Sequence, residues 1–185
     1  MKDSRLQRPE DLLPMQSSYI FIDIPLKEKA PWLHSLEQFC QDRFQADWHI
    51  NFHITLAFID DTKDCHKVAE AVGKVLEGRA MPALCFDTLD VFTAQHSKKQ
   101  IINLTCSNPP AEFSNLVREI RTAITQTGNV LNSDFKLHMT LAEAKPDTDI
   151  VAIDRALRQF VFQGVNLTLR RPVYREFRGG IIRKY

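Results

Sequence analysis

Apolar positions recur with a period of two in some stretches of the chain and at helical spacing in others, and the order of these stretches repeats once. Alternating β-branched and aromatic runs are typical of strands, whereas apolar stripes at i, i+3, i+4 and i+7 are typical of amphipathic helices. Gly78 and Gly128 each follow such a stripe and are expected to end helices. The pattern predicts strands at 19–24, 53–59, 83–92, 100–106, 136–144 and 165–177, and helices at 30–44, 61–78, 109–128 and 149–162. Each half therefore has the predicted order β-α-β-α-β.

This repeated order predicts how the chain is organised. We expect one α+β domain over 18–185, built from two lobes of about 18–95 and 96–185 that pack about a pseudo-twofold axis. Each lobe is expected to be a mostly antiparallel sheet with helices on its outer face. Residues 1–17 are charged, contain two prolines and lack periodicity, so we expect a flexible N-terminal arm there.

A short motif, H-x-T-L-A, occurs once in each half, within 52–58 and 137–143. In a regular strand successive side chains point to opposite faces, so each histidine shares a face with the threonine two residues later. On that basis the polar faces carry His53, Thr55 and Ala57 in the first half and His138, Thr140 and Ala142 in the second. The opposite faces carry Ile54, Leu56 and Phe58, and Met139 and Leu141. The polar faces are predicted to line the cleft between the lobes.

Two imidazoles and two hydroxyls in one cleft suit the cleavage of a phosphodiester. One group must remove a proton and another must donate one to the leaving oxygen, and imidazole can do either near neutral pH. The threonine hydroxyls can hold the non-bridging phosphate oxygens by hydrogen bonds. This chemistry needs neither a metal ion nor a cofactor.

The paired motifs around His53 and Thr55, and around His138 and Thr140, resemble the H-x-T/S signatures of the two-histidine phosphoesterase superfamily. That superfamily includes RNA 2′,3′-cyclic phosphodiesterases, 2′-5′ RNA ligase-like proteins and 2′,5′-oligoadenylate phosphodiesterases. The resemblance implies that His53 is the acid, His138 is the base, and the two threonines hold the phosphate. It implies hydrolysis of 2′,3′-cyclic phosphate or 2′-5′ linkages in RNA or nucleotides. Two alternatives stay open, namely 2′-5′ ligation and a non-catalytic nucleotide-binding module.

The C-terminal segment from 165 to 185 is rich in arginine. We expect Arg171 and Arg178 to contact the phosphates of an oligonucleotide, and Tyr174 or Tyr185 to stack on a base. The alternative is a charged sheet edge that resists aggregation. Lys98 and Lys99, in the hairpin between the halves, are open to two interpretations in the same way, as cleft-rim residues or as part of a polar turn.

A metal site is the main competing interpretation of the histidines. His49 and His53 are four residues apart with Asp47 nearby, a spacing that binds zinc on a helix. On a strand the two would lie about 13 Å apart, too far to share an ion. The predicted strand therefore argues against a metal at this position.

Composition narrows the setting without changing the chemistry. The formal net charge of +1 gives no overall bias toward nucleic acid, so a basic binding surface must be local. The four cysteines lack a C-x-x-C pair and the N-terminus is polar, which favours a reduced cytoplasmic protein. No apolar run approaches the roughly 20 residues that cross a bilayer. We expect a monomer whose partner is an RNA end or nucleotide substrate.

Overall fold

The computed structural model describes residues 17–176 and 182–185 of the chain. The predicted arm therefore lies outside the described residues, except for Ser17. The strands are β1 (Ser18–Asp23), β2 (Asp47–Trp48), β3 (His53–Ile59), β4 (Ala83–Phe86), β5 (Thr88–Thr93), β6 (Gln100–Thr105), β7 (Met139–Ala144), β8 (Val165–Thr168), β9 (Val173–Glu176) and β10 (Ile182–Lys184). The helices are α1 (Leu33–Phe44), α2 (Cys65–Leu76), α3 (Ala111–Gln126) and α4 (Ile150–Leu157).

Two four-stranded sheets organise the molecule. The first has the strand order β10-β9-β1-β3, the second has the order β2-β7-β6-β5, and β4 pairs with β8 in a separate two-stranded sheet. Each pairing is antiparallel. The row β9-β1-β3 corresponds to the row β5-β6-β7, so the predicted α+β fold with two similar lobes is confirmed.

The two sheets do not coincide with the two predicted halves, because each sheet contains strands from both halves of the chain. The stretch predicted as one strand at 83–92 is divided at Asp87 into β4 and β5, and β5 pairs with β6 in the second sheet. The Asp87 carboxylate accepts hydrogen bonds from the backbone N–H of Ser107 (2.8 Å) and from its hydroxyl (2.6 Å). In turn β9 and β10, from the C-terminal end, join β1 in the first sheet.

Local signals place the helix ends. The Asp64 carboxylate caps α2 by accepting from the N–H of Lys67 at 3.1 Å, which satisfies one of the free amides of the first turn. Gly78 and Gly128 follow α2 and α3 with φ of 63° and 82°, a backbone region that glycine adopts without strain. The predicted helix stops are therefore confirmed. No helix within the described ranges is both long and apolar enough to span a bilayer.

Candidate active site

The first H-x-T motif opens β3 and the second lies at the entry to β7. His53 is the first residue of its strand, whereas His138 immediately precedes β7. Both histidines, and Thr55 and Thr140, are half-buried. The pKa of His138 is lowered, mainly by burial and also by the nearby charges of Lys136 and His53, although the hydrogen bond to the Lys136 carbonyl acts in the opposite direction. Thr55 and His138 line one pocket, whose lining does not include His53 or Thr140.

Both motif strands contain a β-bulge at the same place. On β3 the register with β1 skips Leu56, between Thr55 and Ala57. On β7 the register with β6 skips Leu141, which is also the third residue after its histidine. A bulge adds one residue to one strand of a pair and reverses the faces that follow it. The duplication thus extends to an irregularity of the backbone.

The first bulge overturns part of the predicted alternation. Ala57 is only 2% exposed and belongs to the core, contrary to the prediction for a regular strand. Phe58 moves instead onto the face of His53 and Thr55, where its ring centroid lies 6.3 Å from that of Tyr19 on β1. The cleft face of the first lobe is therefore more aromatic than predicted.

The second bulge changes the other lobe in the same way, with a different result. Ala142 is fully buried, and Glu143 takes the position that corresponds to Phe58. The Glu143 carboxylate accepts a hydrogen bond from Lys99 Nζ at 2.7 Å and lies 3.3 Å from His49 Nε2. One lobe thus presents an aromatic ring where the other presents an ion-paired carboxylate.

This ion pairing bears on the alternative metal site at Asp47, His49 and His53. The Nε2 atom of His49 faces the Glu143 carboxylate. Across residues 17–176 and 182–185, no group of three or more histidine, cysteine, aspartate or glutamate side chains is arranged to hold a metal ion. Within the described residues, Asp47, His49 and His53 are therefore not arranged as the ligands of one zinc ion.

His53 stands at the end of a row of aromatic rings on the first sheet. The ring centroids of Tyr19 and Phe21 are 4.9 Å apart, and the Phe21 ring meets the His53 imidazole edge-on at 5.7 Å. Phe58 packs against the other end of this row. Asp23 is the cross-strand neighbour of His53 on β1. Phe21, which is 9% exposed, is thus packed between the Tyr19 ring and the first histidine.

His138 is held on two sides by the second lobe. Its Nδ1 atom lies 2.9 Å from the carbonyl oxygen of Lys136, and its ring meets Phe92 edge-on at 5.1 Å. A carbonyl can only accept, so Nδ1 carries the proton in this hydrogen bond. In the neutral imidazole the lone pair is then on Nε2. The contact fixes the tautomer and leaves Nε2 as the basic atom.

A pocket of about 190 Å³ lies between Thr55 and His138. Arg121 of α3 lines this pocket and donates hydrogen bonds to the carbonyl oxygens of Leu56, at 3.2 Å, and Ser133. One guanidinium therefore ties the bulge of the first motif to the segment that leads into the second motif.

Each motif strand accepts one backbone hydrogen bond from the segment that precedes the other motif. The N–H of Asn132 donates to the carbonyl of Phe58 at 3.1 Å, and the N–H of His49 donates to the carbonyl of Leu141 at 2.8 Å. Both acceptors lie at or beyond the bulges. These reciprocal contacts fix the two histidine motifs relative to each other.

The substrate-binding predictions for the C-terminal tyrosines and arginines require correction, beginning with Tyr174. This tyrosine is 1% exposed and pairs across the sheet with Ile20 on the core face, where burial raises the pKa of its phenol. It has no surface on which a base can stack, so the prediction is wrong. Arg178 lies outside the described residues.

Arg171 and Tyr185 are engaged with the outer helix α2. The Arg171 guanidinium donates to the carbonyl of Arg79, at 2.9 Å, and to that of Leu76 at the C-terminal end of the helix. The Tyr185 hydroxyl donates to the carbonyl of Ala69 at 2.6 Å. These contacts satisfy helix carbonyls, so both predicted substrate contacts are replaced by structural ones.

The basic residues on the cleft face are others, which the sequence prediction did not select. Arg175 pairs across the sheet with Tyr19, and Lys184 pairs with Val173, which in turn pairs with Phe21. Cross-strand partners share a face, so Arg175 and Lys184 belong to the face of the aromatic row. Both are exposed. Strict alternation along β9 was the available signal, because it separates Arg175 from the buried Tyr174.

Comparison with known families follows this geometry. The family model described as the 2′-5′ RNA ligase superfamily matches residues 25–173. No curated protein sequence matches the chain.

Several solved structures share the fold. The LigT protein of E. coli, solved with 3′-AMP, is 16% identical, with 93% of this chain and 95% of that chain covered and a TM-score of 0.58. Usb1 of Kluyveromyces marxianus is 8% identical over 91% of this chain and 98% of its own, with a TM-score of 0.60. The MHV ns2 PDE domain is 10% identical over 87% and 99%, with a TM-score of 0.53. These likenesses are likenesses of fold.

Proposed function

Because the chain belongs to the 2′-5′ RNA ligase superfamily, we propose that it is a metal-independent phosphodiesterase. It hydrolyses a 2′,3′-cyclic phosphate or a 2′-5′ linkage in RNA or an oligonucleotide. His53 is the general acid and His138 the general base, and the hydroxyls of Thr55 and Thr140 hold the phosphate.

The observation that carries this proposal is the state of His138. Its Nδ1–H is bound by the Lys136 carbonyl at 2.9 Å, and burial lowers its pKa, which favours the neutral imidazole with its lone pair on Nε2. A general base needs that form. The pocket beside it contains Thr55, which supplies a hydroxyl for a phosphate oxygen.

The proton transfers balance with these two histidines alone. Nε2 of His138 removes a proton from water while the water oxygen forms a bond to phosphorus. The bond from phosphorus to the ribose oxygen breaks, and protonated His53 donates its proton to that oxygen. The hydroxyls of Thr55 and Thr140 donate to the non-bridging oxygens, where negative charge develops in the transition state.

A nucleotide substrate is supported from two sides. E. coli LigT has been solved with 3′-AMP and with ATP, so a protein of this fold binds nucleotides. In this chain the face of His53 carries the rings of Tyr19, Phe21 and Phe58 with Arg175 beside them. Aromatic faces and an arginine are the groups on which single-stranded bases stack.

The test is an assay of the purified chain on matched substrates with 2′,3′-cyclic, 2′-5′ and 3′-5′ linkages, each with and without chelator. We expect turnover of the cyclic or the 2′-5′ substrate, unchanged by chelator and lowered by about 10²- to 10⁴-fold in His138→Ala. Chelator-sensitive turnover, or turnover of the 3′-5′ substrate at the same rate, contradicts the proposal.

The same residues can also catalyse the joining of a cyclic phosphate end to a hydroxyl end, with that hydroxyl in place of water. His138 removes the hydroxyl proton as its oxygen bonds to phosphorus, and the ribose oxygen that leaves phosphorus takes a proton from His53. The family description, 2′-5′ RNA ligase superfamily, favours testing it. Incubation of two RNA halves bearing these ends, followed by product analysis, separates ligation from hydrolysis. A chain that binds nucleotide equally well with and without His53 and His138, and turns over no substrate, is a binding module.

A further inference from the structure

The proposed mechanism uses the backbone carbonyl of Lys136 but not its side chain. Its carbonyl oxygen holds Nδ1 of His138, while its ammonium lies 4.1 Å above the centroid of the Phe92 ring. The same Phe92 ring packs edge-on against the His138 imidazole. Lys136 and Phe92 both line the pocket that contains Thr55 and His138. One residue therefore places a backbone acceptor behind the base and a cation against an aromatic ring of its pocket.

The ammonium is restrained by a partner that phosphate can displace. Its Nζ lies 3.6 Å from Asp90 Oδ2, and the two side chains are 52% and 40% exposed. An exposed ion pair at this distance contributes little stability, so exchange for a better acceptor costs little. The Phe92 ring attracts the ammonium through a separate cation–π interaction, which holds it beside the pocket when the ion pair with Asp90 is broken.

Phosphate is the ligand that fits this arrangement. A lysine on a flexible stem binds phosphate as a point charge, and the pocket beside it carries a threonine hydroxyl, an imidazole and the Arg121 guanidinium. The guanidinium is occupied by two carbonyls, whereas Lys136 is held by a weak pair and a ring.

We propose that Lys136 is a substrate-binding residue of this site, whose ammonium leaves Asp90 and pairs with a phosphate oxygen of the substrate. This inference rests on the proposed function, because it assigns the phosphate to the same pocket. Asp90 then acts against binding, since its carboxylate competes for the cation and repels the phosphate.

Binding of inorganic phosphate to the full chain tests the inference without requiring turnover. We expect Lys136→Met to weaken phosphate binding about tenfold, the loss of one charge-assisted hydrogen bond. Lys136→Arg keeps the charge and should retain most of the affinity. Asp90→Asn should tighten binding by about twofold to threefold, because it frees the ammonium and removes a like charge.

Lys74→Met is the matched control. It removes the same charge and breaks an exposed ion pair, the 2.8 Å contact of Lys74 with Glu70 on α2, away from the cleft. Its phosphate affinity should equal that of the wild type. Equal weakening in Lys136→Met and Lys74→Met overturns the inference, because long-range charge alone then explains the effect. Weakening in Asp90→Asn also overturns it, because the pair then serves only to hold the structure.

Steady-state kinetics separates this inference from the proposed function. On a substrate that the wild type hydrolyses, Lys136→Met should raise KM about as much as it weakens phosphate binding. Good turnover with phosphate affinity and KM unchanged in Lys136→Met defeats the inference and leaves the function intact. Phosphate binding that depends on Lys136, in a chain that turns over no substrate, supports the inference and contradicts the proposed function.

Discussion

The two H-x-T motifs share sequence, strand and bulge, but their surroundings differ. His53 lies at the end of the aromatic row of Tyr19 and Phe21, whereas His138 is bound at Nδ1 by a carbonyl and stands beside a lysine ammonium. Burial and that cation lower the pKa of the second imidazole. The comparison shows that two copies of one motif stand in different environments, an aromatic row on one side and a carbonyl with a lysine ammonium on the other.

The largest expected effect separates the acid from the base. His53→Ala and His138→Ala should each lower kcat/KM on a ribose-leaving substrate by about 10²- to 10⁴-fold, since each removes one proton-transfer group. A p-nitrophenyl phosphodiester has a leaving group that needs no protonation. On that substrate the loss in His53→Ala should shrink strongly, while the loss in His138→Ala should remain.

Circular dichroism of both variants serves as the control for folding. If kcat/KM on the p-nitrophenyl substrate recovers equally in both variants, the assignment of acid and base is wrong. If it recovers only in His138→Ala, His138 is the acid and His53 the base.

The next largest effect tests whether the two threonines are equivalent. Thr55→Val and Thr140→Val keep the shape and remove the hydroxyl, so each should lower kcat/KM by about 10- to 100-fold through the loss of a hydrogen bond to a charged phosphate. The double variant should lose about the product of the two effects if both hydroxyls bind the same phosphate independently. A single variant with wild-type kinetics removes that threonine from the site.

A smaller effect concerns pH. The base must be neutral to act, and burial lowers its pKa below the ordinary histidine value of about 6.5. The acid limb of the kcat/KM profile should therefore have its midpoint below that value, and it should coincide with the His138 titration followed by NMR. A midpoint above 6.5, or a limb that does not follow the His138 titration, contradicts the assignment of this residue as the base.

The smallest effect checks the corrected role of the C-terminal tyrosine. Tyr185→Phe removes the hydrogen bond to the Ala69 carbonyl and should lower the free energy of unfolding by about 1 kcal/mol. Because the ring packs on α2 rather than in the cleft, kcat/KM should stay within the error of the assay. Urea unfolding and the substrate assay on the same preparation measure both. A drop in kcat/KM without a loss of stability restores the predicted substrate contact.

Much of the fold could be predicted from the sequence, because periodicity and helix stops are local signals. The motif strands and the ends of α2 and α3 at Gly78 and Gly128 follow from them. The division at Asp87 could not be predicted. The Asp87 carboxylate accepts its hydrogen bonds there from Ser107, which is 20 residues away in the chain and comes close only in the folded sheet.

The site shows the same limit. Strand alternation places each histidine with its threonine, but beyond Thr55 and Thr140 the bulges exchange the faces. Alternation therefore predicts the wrong face for Phe58. Glu143 reaches the histidine face of the second strand for the same reason. A bulge depends on the partner strand and leaves no mark in the composition of its own strand. For the C-terminal segment, residue type alone favoured Tyr174, whereas the position on β9 favours Arg175.

The exchange of strands between the halves has a consequence for how the chain reaches its native state. The sheet that holds His53 is completed by β9 and β10 from the opposite end of the chain, and the sheet that holds His138 takes β5 from the first half. Neither sheet can be completed until most of the polypeptide has been synthesised, because each needs strands from both halves. Pairings between distant segments carry a large loop-closure cost before they gain contacts, so folding should be slow for a protein of this size. A fragment ending between the halves would expose two unfinished sheet edges, and catalytic competence should therefore arise late and all at once.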